Sequence, residues 1–127
     1  MPLRVTVEAR PGGSNIVVRP SGSIDANTYQ VLGVEVEAVL NKSPNLIIFD
    51  MDQVDYVSSA GIGVVLAAEK AMKKAGGKTL LVNLKPHIRK VFEIVQALPS
   101  QQFFNSTEDL DEYLAEMQRR VREGPPA

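Results

Sequence analysis

Leu46-Ile47-Ile48-Phe49 is an unbroken apolar run set between Asn41-Lys42-Ser43-Pro44 and Asp50-Met51-Asp52, two stretches of turn-forming residues. A strand with one wet face would alternate apolar and polar side chains, so this run reads as a central strand covered on both faces. Such a strand requires a sheet with other layers packed around it. At 127 residues the chain can build one domain of this kind and bury its core without disulfides or metal clips.

The flanking segments fit that frame. Leu3, Val5 and Val7 alternate with Arg4, Thr6 and Glu8, which predicts a strand over Leu3–Ala9 with one buried face. After the turn Arg10–Asn15, Ile16-Val17-Val18-Arg19-Pro20 forms a second strand, and the short Gly-rich connection suits an antiparallel hairpin. Ser21–Asp25 leaves that strand, and Asp25 or Asn27 can cap a helix whose Val31, Leu32, Val36, Val39 and Leu40 recur at helical spacing. Val54-Asp55-Tyr56-Val57 then leads into a long helix that stops at Gly76-Gly77.

Thr79–Val82 is a further strand, and Pro86 opens a helix with Ile88, Val91, Phe92 and Val95 as its core stripe. A short strand is expected around Gln102–Phe104. Ser106 then caps a last helix carrying Leu110, Tyr113, Leu114, Met117 and Val121. The order β-β-α-β-α-β-α-β-α predicts an α/β fold, a mixed central sheet of about four to five strands with helices packed on it. The expected domain spans 3–122, followed by a flexible tail over 123–127.

Composition removes several functions. Net charge is −1 with acids and bases interleaved, which provides no broad basic surface for nucleic acid. Cysteine is absent and His87 is the only histidine, so disulfides, thiolate chemistry and most zinc sites are excluded. A carboxylate-only metal site has no motif. No apolar stretch approaches the ~20 residues of a membrane-spanning helix, and the N-terminus carries no leader pattern. A cytoplasmic protein is expected.

Ser58-Ser59-Ala60-Gly61-Ile62-Gly63 places small residues at the mouth of the long helix, where unpaired backbone donors and the helix dipole make an electropositive end. A phosphate ester there would meet free N–H groups, so a modified serine could be held without unfolding the helix. By local spacing alone the two serines read more simply as a cap, with the glycines allowing close packing. Asp25, Asp50, Asp52 and Asp55 fall at predicted strand ends or helix starts, and they are expected on one acidic rim with the serines. Adding about −1.5 to −2 charges there would repel a partner docked on that rim.

Three stretches carry a resemblance that runs from Leu3 to about Arg122: Gly22-Ser23-Ile24-Asp25, Ile47-Ile48-Phe49-Asp50, and Val57 through Leu66 with its serine motif. They resemble the STAS family, the fold of anti-sigma factor antagonists. Matching the family's Gly-Leu-Gly to Gly61-Ile62-Gly63 puts the phosphoacceptor at Ser59 and Ala60 at the second Ser/Thr position. Ser58 stands where the family often has aspartate, as in its Ile-Ser-Ser-Ala-Gly-Leu branch.

The resemblance implies a partner-switching cycle. The unmodified protein binds an anti-sigma factor with a serine-kinase domain, that kinase phosphorylates Ser59, and a serine phosphatase resets it. The chain itself would then be no enzyme and hold no cofactor, ATP and magnesium belonging to the kinase. Ser58, Asp25, Ala60, Gly61, Ile62, Gly63, Asp55 and Tyr56 are the expected neighbours of the phosphosite or contacts of the partner. The alternative is a scaffold subunit of a stress-signalling assembly or of a lipid-transport complex.

The remaining candidates are weaker. Asp25 caps the first helix or supports the serine site, and its position leaves both open. The pair Asp50 and Asp52 lacks the further ligands of a metal or acid/base site. His87 has no catalytic partner beside it in the sequence and is expected on the surface. Tyr29 and Tyr56 are core-edge aromatics or partner anchors.

Overall fold

A computed structural model describes residues 2–97 and 106–124. Its elements are β1 (Arg4–Ala9), β2 (Asn15–Ile24), α1 (Tyr29–Leu40), β3 (Leu46–Asp50), β4 (Gln53–Val57), α2 (Ser59–Lys74), β5 (Lys78–Val82), α3 (Pro86–Ala97) and α4 (Thr107–Glu123). The mixed sheet has five strands. β1 pairs antiparallel with β2, and β3 and β5 follow in parallel, in the order β1-β2-β3-β5. Helices α1 and α2 pack on each other and on this sheet, while α3 packs on β4 and α4. The expected α/β architecture is present. The strand expected around Gln102–Phe104 lies outside the described residues, as do residues 125–127 of the expected tail.

β2 is longer than its sequence suggested, and that length positions the site. Its first half, Asn15–Val18, pairs with β3, whereas Ser21–Ile24 pairs in parallel with β4. Pro20 has no amide hydrogen to give to a ladder and sits at the hand-over between the two halves. The segment Ser21–Asp25, read as an exit from the strand, is therefore largely strand. Its small residues, Ser21, Gly22 and Ser23, signalled a turn where they serve the sheet.

β4 corrects the reading of Val54–Val57 as a mere approach to the helix. Val54 and Val57 are both fully buried, yet three residues apart they would face opposite sides of a regular strand. The register shift resolves this. Gly22 pairs with Val54 and Ser23 with Tyr56, so Asp55 is an extra, bulged residue that resets the alternation. A bulged strand does not alternate, which is why periodicity missed it.

The ends of α2 follow local rules. At its C-terminus Gly76 adopts φ 83°, its N–H donates to the Lys73 carbonyl (3.1 Å), and the Gly77 N–H donates to the Met72 carbonyl (2.8 Å). These are the paired bonds of a Schellman stop, as the double glycine predicted. At the other end of the helix lies the serine motif.

Candidate functional site

The strand-to-helix junction β4–α2 carries the serines, and the two have different surroundings. Ser58 is the N-cap, its backbone extended, its Oγ accepting from the Gly61 N–H at 3.3 Å and its own N–H donating to the Ile24 carbonyl at 2.8 Å. It is 3% exposed. Ser59 is the first residue of α2 and is half-buried. Among the described residues its hydroxyl has no hydrogen-bond partner, while its backbone N–H donates to Asp111 Oδ1 at 2.9 Å.

The glycines of the motif also differ. A Cβ on Gly61 would stand 2.7 Å from Ile24 Cγ2 and 2.9 Å from both the Ile24 carbonyl and Val57 Cγ2. Glycine is required there because the first turn of α2 presses onto β2 and β4. Gly63 is exposed, with nothing within 4 Å of its would-be Cβ. Ile62 is buried in the core and Ala60 is half-buried beside the junction.

Of the four aspartates expected on one rim, the structure brings only part together. Asp25 Oδ1 accepts from the Asn27 N–H (2.8 Å), with the Thr28 hydroxyl at 3.1 Å. Thr28, not Asp25 or Asn27, is the N-cap of α1, and it makes no side-chain capping bond. Asp25 shapes the turn before the helix instead, a correction to its reading as the cap itself. Asp50 and Asp52 precede β4, whereas Ser58 follows it, so the strand's length, about 13 Å at ~3.3 Å per residue, separates them.

Asp50 bonds Asn83 Nδ2 (3.1 Å) and the Asp52 N–H (3.2 Å), with Arg19 Nε at 3.4 Å. The Asn83 hydrogen bond first, helped by the Asp52 amide and Arg19, holds its carboxyl below the usual range. Asp55 is exposed and pairs with Lys85 Nζ at 3.0 Å. Tyr56 is half-buried. Burial first, then the charges of Asp111 and Asp25, push its hydroxyl pKa up. Asp25 and Asp111 therefore flank Tyr56 beside the serines, and the local rim is built from these two acids. Tyr29 packs at the core edge.

Two residues that the sequence did not single out complete the site. Gln118 of α4 is 2% exposed. Its Oε1 accepts from the Val57 N–H (3.1 Å), and its Nε2 donates to the carbonyls of Val57 (2.8 Å) and Leu114 (3.2 Å). Asp111 lies two turns earlier on the same helical face. The available signal was a glutamine four residues after Leu114, at a position the apolar stripe of α4 should own.

His87 is likewise not on the surface. It is 6% exposed, and its Nε2 lies 2.6 Å from the Asp55 carbonyl. A carbonyl only accepts, so Nε2 carries the hydrogen. His87 thus takes the carbonyl of the bulged residue, and burial follows because the free edge of β4 must be satisfied somewhere.

The arrangement presents a hydroxyl without a partner among the described residues at an electropositive helix mouth, with the Asp111 carboxylate on the backbone N–H of the same serine. Among the described residues no group of three or more His, Cys, Asp or Glu is placed to hold a metal ion. No described helix is long and apolar enough to cross a membrane.

Residues 5–110 match the model of the STAS domain. BtrV of Bordetella bronchiseptica, assigned as an anti-sigma factor antagonist, is 37% identical over 73 residues, 58% of this chain and 63% of BtrV, a little under two thirds of its length. The anti-sigma-B factor antagonist of Bacillus subtilis is 29% identical over 72% of this chain and 84% of its own. The structure of the anti-sigma factor antagonist SpoIIAA in its unphosphorylated form matches with a TM-score of 0.61 at 24% identity, over 72% of this chain and 83% of that one. With the serine motif, the bulged β4 and the mixed sheet in the arrangement described, this chain belongs to the STAS domain family.

Proposed function

We propose that this protein is an anti-sigma factor antagonist switched by phosphorylation of Ser59. Unmodified, it binds an anti-sigma factor that carries a serine-kinase domain. The kinase, with its own ATP and magnesium, transfers a phosphoryl group to the Ser59 hydroxyl, and a serine phosphatase removes it. The chain acts as ligand and substrate, supplying the hydroxyl and the docking surface around Ala60, Gly63, Tyr56 and Asp25.

One observation carries this reading. Of two adjacent serines, Ser58 is buried with its Oγ engaged by Gly61, and only Ser59 offers a partially exposed hydroxyl with no partner among the described residues. The relatives named as anti-sigma factor antagonists support the class of partner. A phosphoryl group on Ser59 adds about −1.5 to −2 charges to a rim that already holds Asp25 and Asp111, and it repels a partner complementary to the unmodified rim.

The test is incubation with the cognate serine kinase and ATP, followed by mass spectrometry. Phosphate is expected on Ser59, absent from Ser59→Ala and retained in Ser58→Ala. Modification of Ser59→Ala to the wild-type extent would overturn the assignment. Ser59→Asp is expected to fold normally, because a carboxylate is tolerated at a helix N-terminus, and to bind the kinase partner more weakly by calorimetry.

A further inference from the structure

The N-terminal turns of α4 are docked on the phosphosite by a group that a phosphoryl would contest. Asp111 Oδ1 takes the Ser59 backbone N–H at 2.9 Å. It already occupies one of the donors at the mouth of α2 that would otherwise meet an anion. The Ser59 amide nitrogen and Oγ are only three bonds apart, so a phosphoryl group on Oγ comes within a few ångström of the Asp111 carboxylate. Among the described residues no lysine or arginine pairs with Asp111 to offset that approach. Glu108 and Asp109 add two more acids in the first turn of the helix, just ahead of Asp111.

The rest of α4 is held differently. Leu114 is fully buried and Gln118 is bonded to Val57, and neither contact involves charge. The helix therefore has a charge-sensitive front and a charge-indifferent rear.

We propose that the front of α4 reads the state of Ser59: phosphorylation displaces Asp111 from the Ser59 amide and releases the first turns of α4 from the β4–α2 junction. The inference rests on Ser59 being the modified residue. It adds to the change of charge on the rim a change of shape, because the released turns uncover the flank of the junction where Leu110 and Asp111 sit. The dephosphorylated state is the closed one, with Asp111 acting as a positioning residue for the N-terminal end of α4.

The experiment uses the full chain with phosphoserine installed at position 59 by an expanded genetic code, so no kinase is needed. Amide hydrogen exchange is compared with the unmodified chain. Protection of the amides from 109 to 114 is expected to fall roughly tenfold or more on phosphorylation, while α1 and β3 keep theirs. In Asp111→Asn, whose neutral side-chain oxygen still accepts from Ser59, the installed phosphate should leave protection within about twofold of the unmodified level. Equal protection of α4 in both forms of the wild-type chain overturns the proposal. So does a loss that persists undiminished in Asp111→Asn, since repulsion between the two charges would then not be its cause. Failure of a kinase to modify Ser59 would sink the proposed function without touching this result, and the converse also holds.

Discussion

The side-chain amide of Gln118 closes a two-bond ring with the backbone of Val57, accepting from its N–H and donating to its carbonyl, across 61 positions of sequence. The effect is that of one more strand residue on the open edge of β4. Ser58, His87 and Gln118 are the buried polar residues among those described, and all three serve this junction. Ser58 caps α2, His87 takes the carbonyl of bulged Asp55, and Gln118 completes Val57. The polar chemistry of the interior is thus concentrated where a serine is presented to solvent.

Gln118→Leu keeps the size of the side chain and leaves the buried Val57 N–H and carbonyl unpaired. An unsatisfied buried group costs about 1–3 kcal/mol, so with two such groups urea denaturation should show a loss of about 2–6 kcal/mol. A change below 0.5 kcal/mol, roughly the level of an ordinary surface substitution, would mean that water replaces both bonds.

Gly61 and Gly63 should respond in opposite directions. Gly61→Ala forces a methyl against the Ile24 carbonyl and Val57 and should cost about 1–3 kcal/mol. Gly63→Ala enters open space on an exposed helix face and should gain about 0.5–1 kcal/mol. Helical side chains lean toward the N-terminus, so a large one at 63 overhangs Ser59 one turn back. Gly63→Leu should therefore slow phosphorylation of Ser59 in a chain at least as stable as the wild type, read by thermal melting and phosphate incorporation.

The two serines separate in stability as well as in modification. Ser58→Ala removes the cap and should cost about 1 kcal/mol. Ser59→Ala removes no side-chain bond to any of the described residues and should stay within about 0.5 kcal/mol of the wild type. Chemical denaturation of the two variants side by side measures the difference.

Asp50 gives an acid-side pH dependence. Its carboxyl is held below the usual range, chiefly by Asn83, so the folded state binds its proton more weakly than the unfolded chain does. The resulting stability is fully present above the unfolded pKa of about 3.9 and is lost as pH falls through the lower folded value. Asp50→Asn should flatten the decline of melting temperature below pH 4, roughly the unfolded value.

Local rules carried much of the reading. The Leu46–Phe49 run became β3, although only Ile47 and Phe49 are fully buried and the face of Leu46 and Ile48 is half-covered; Gly76-Gly77 became a Schellman stop, Pro86 opened α3 and Ser106 capped α4 through the Asp109 N–H at 3.1 Å. These features depend on residues within a turn of one another, so the sequence contains their cause. The serine motif was legible as a helix mouth for the same reason, since the Ser58 cap on the Gly61 N–H is made within one turn.

The missed features have distant causes. β4 needed the far half of β2 as its template and a bulge at Asp55 that breaks alternation. His87 reads as a surface residue until the edge of β4 arrives beside it, 32 positions away in sequence. By itself the sequence determined that Ser58 and Ser59 stand at a helix mouth, because backbone geometry there is local. Only the tertiary structure decided which of the two is open and what guards it, because Asp111 and Gln118 reach the junction from 52 and 61 positions away and act through hydrogen bonds that exist only once α4 has docked.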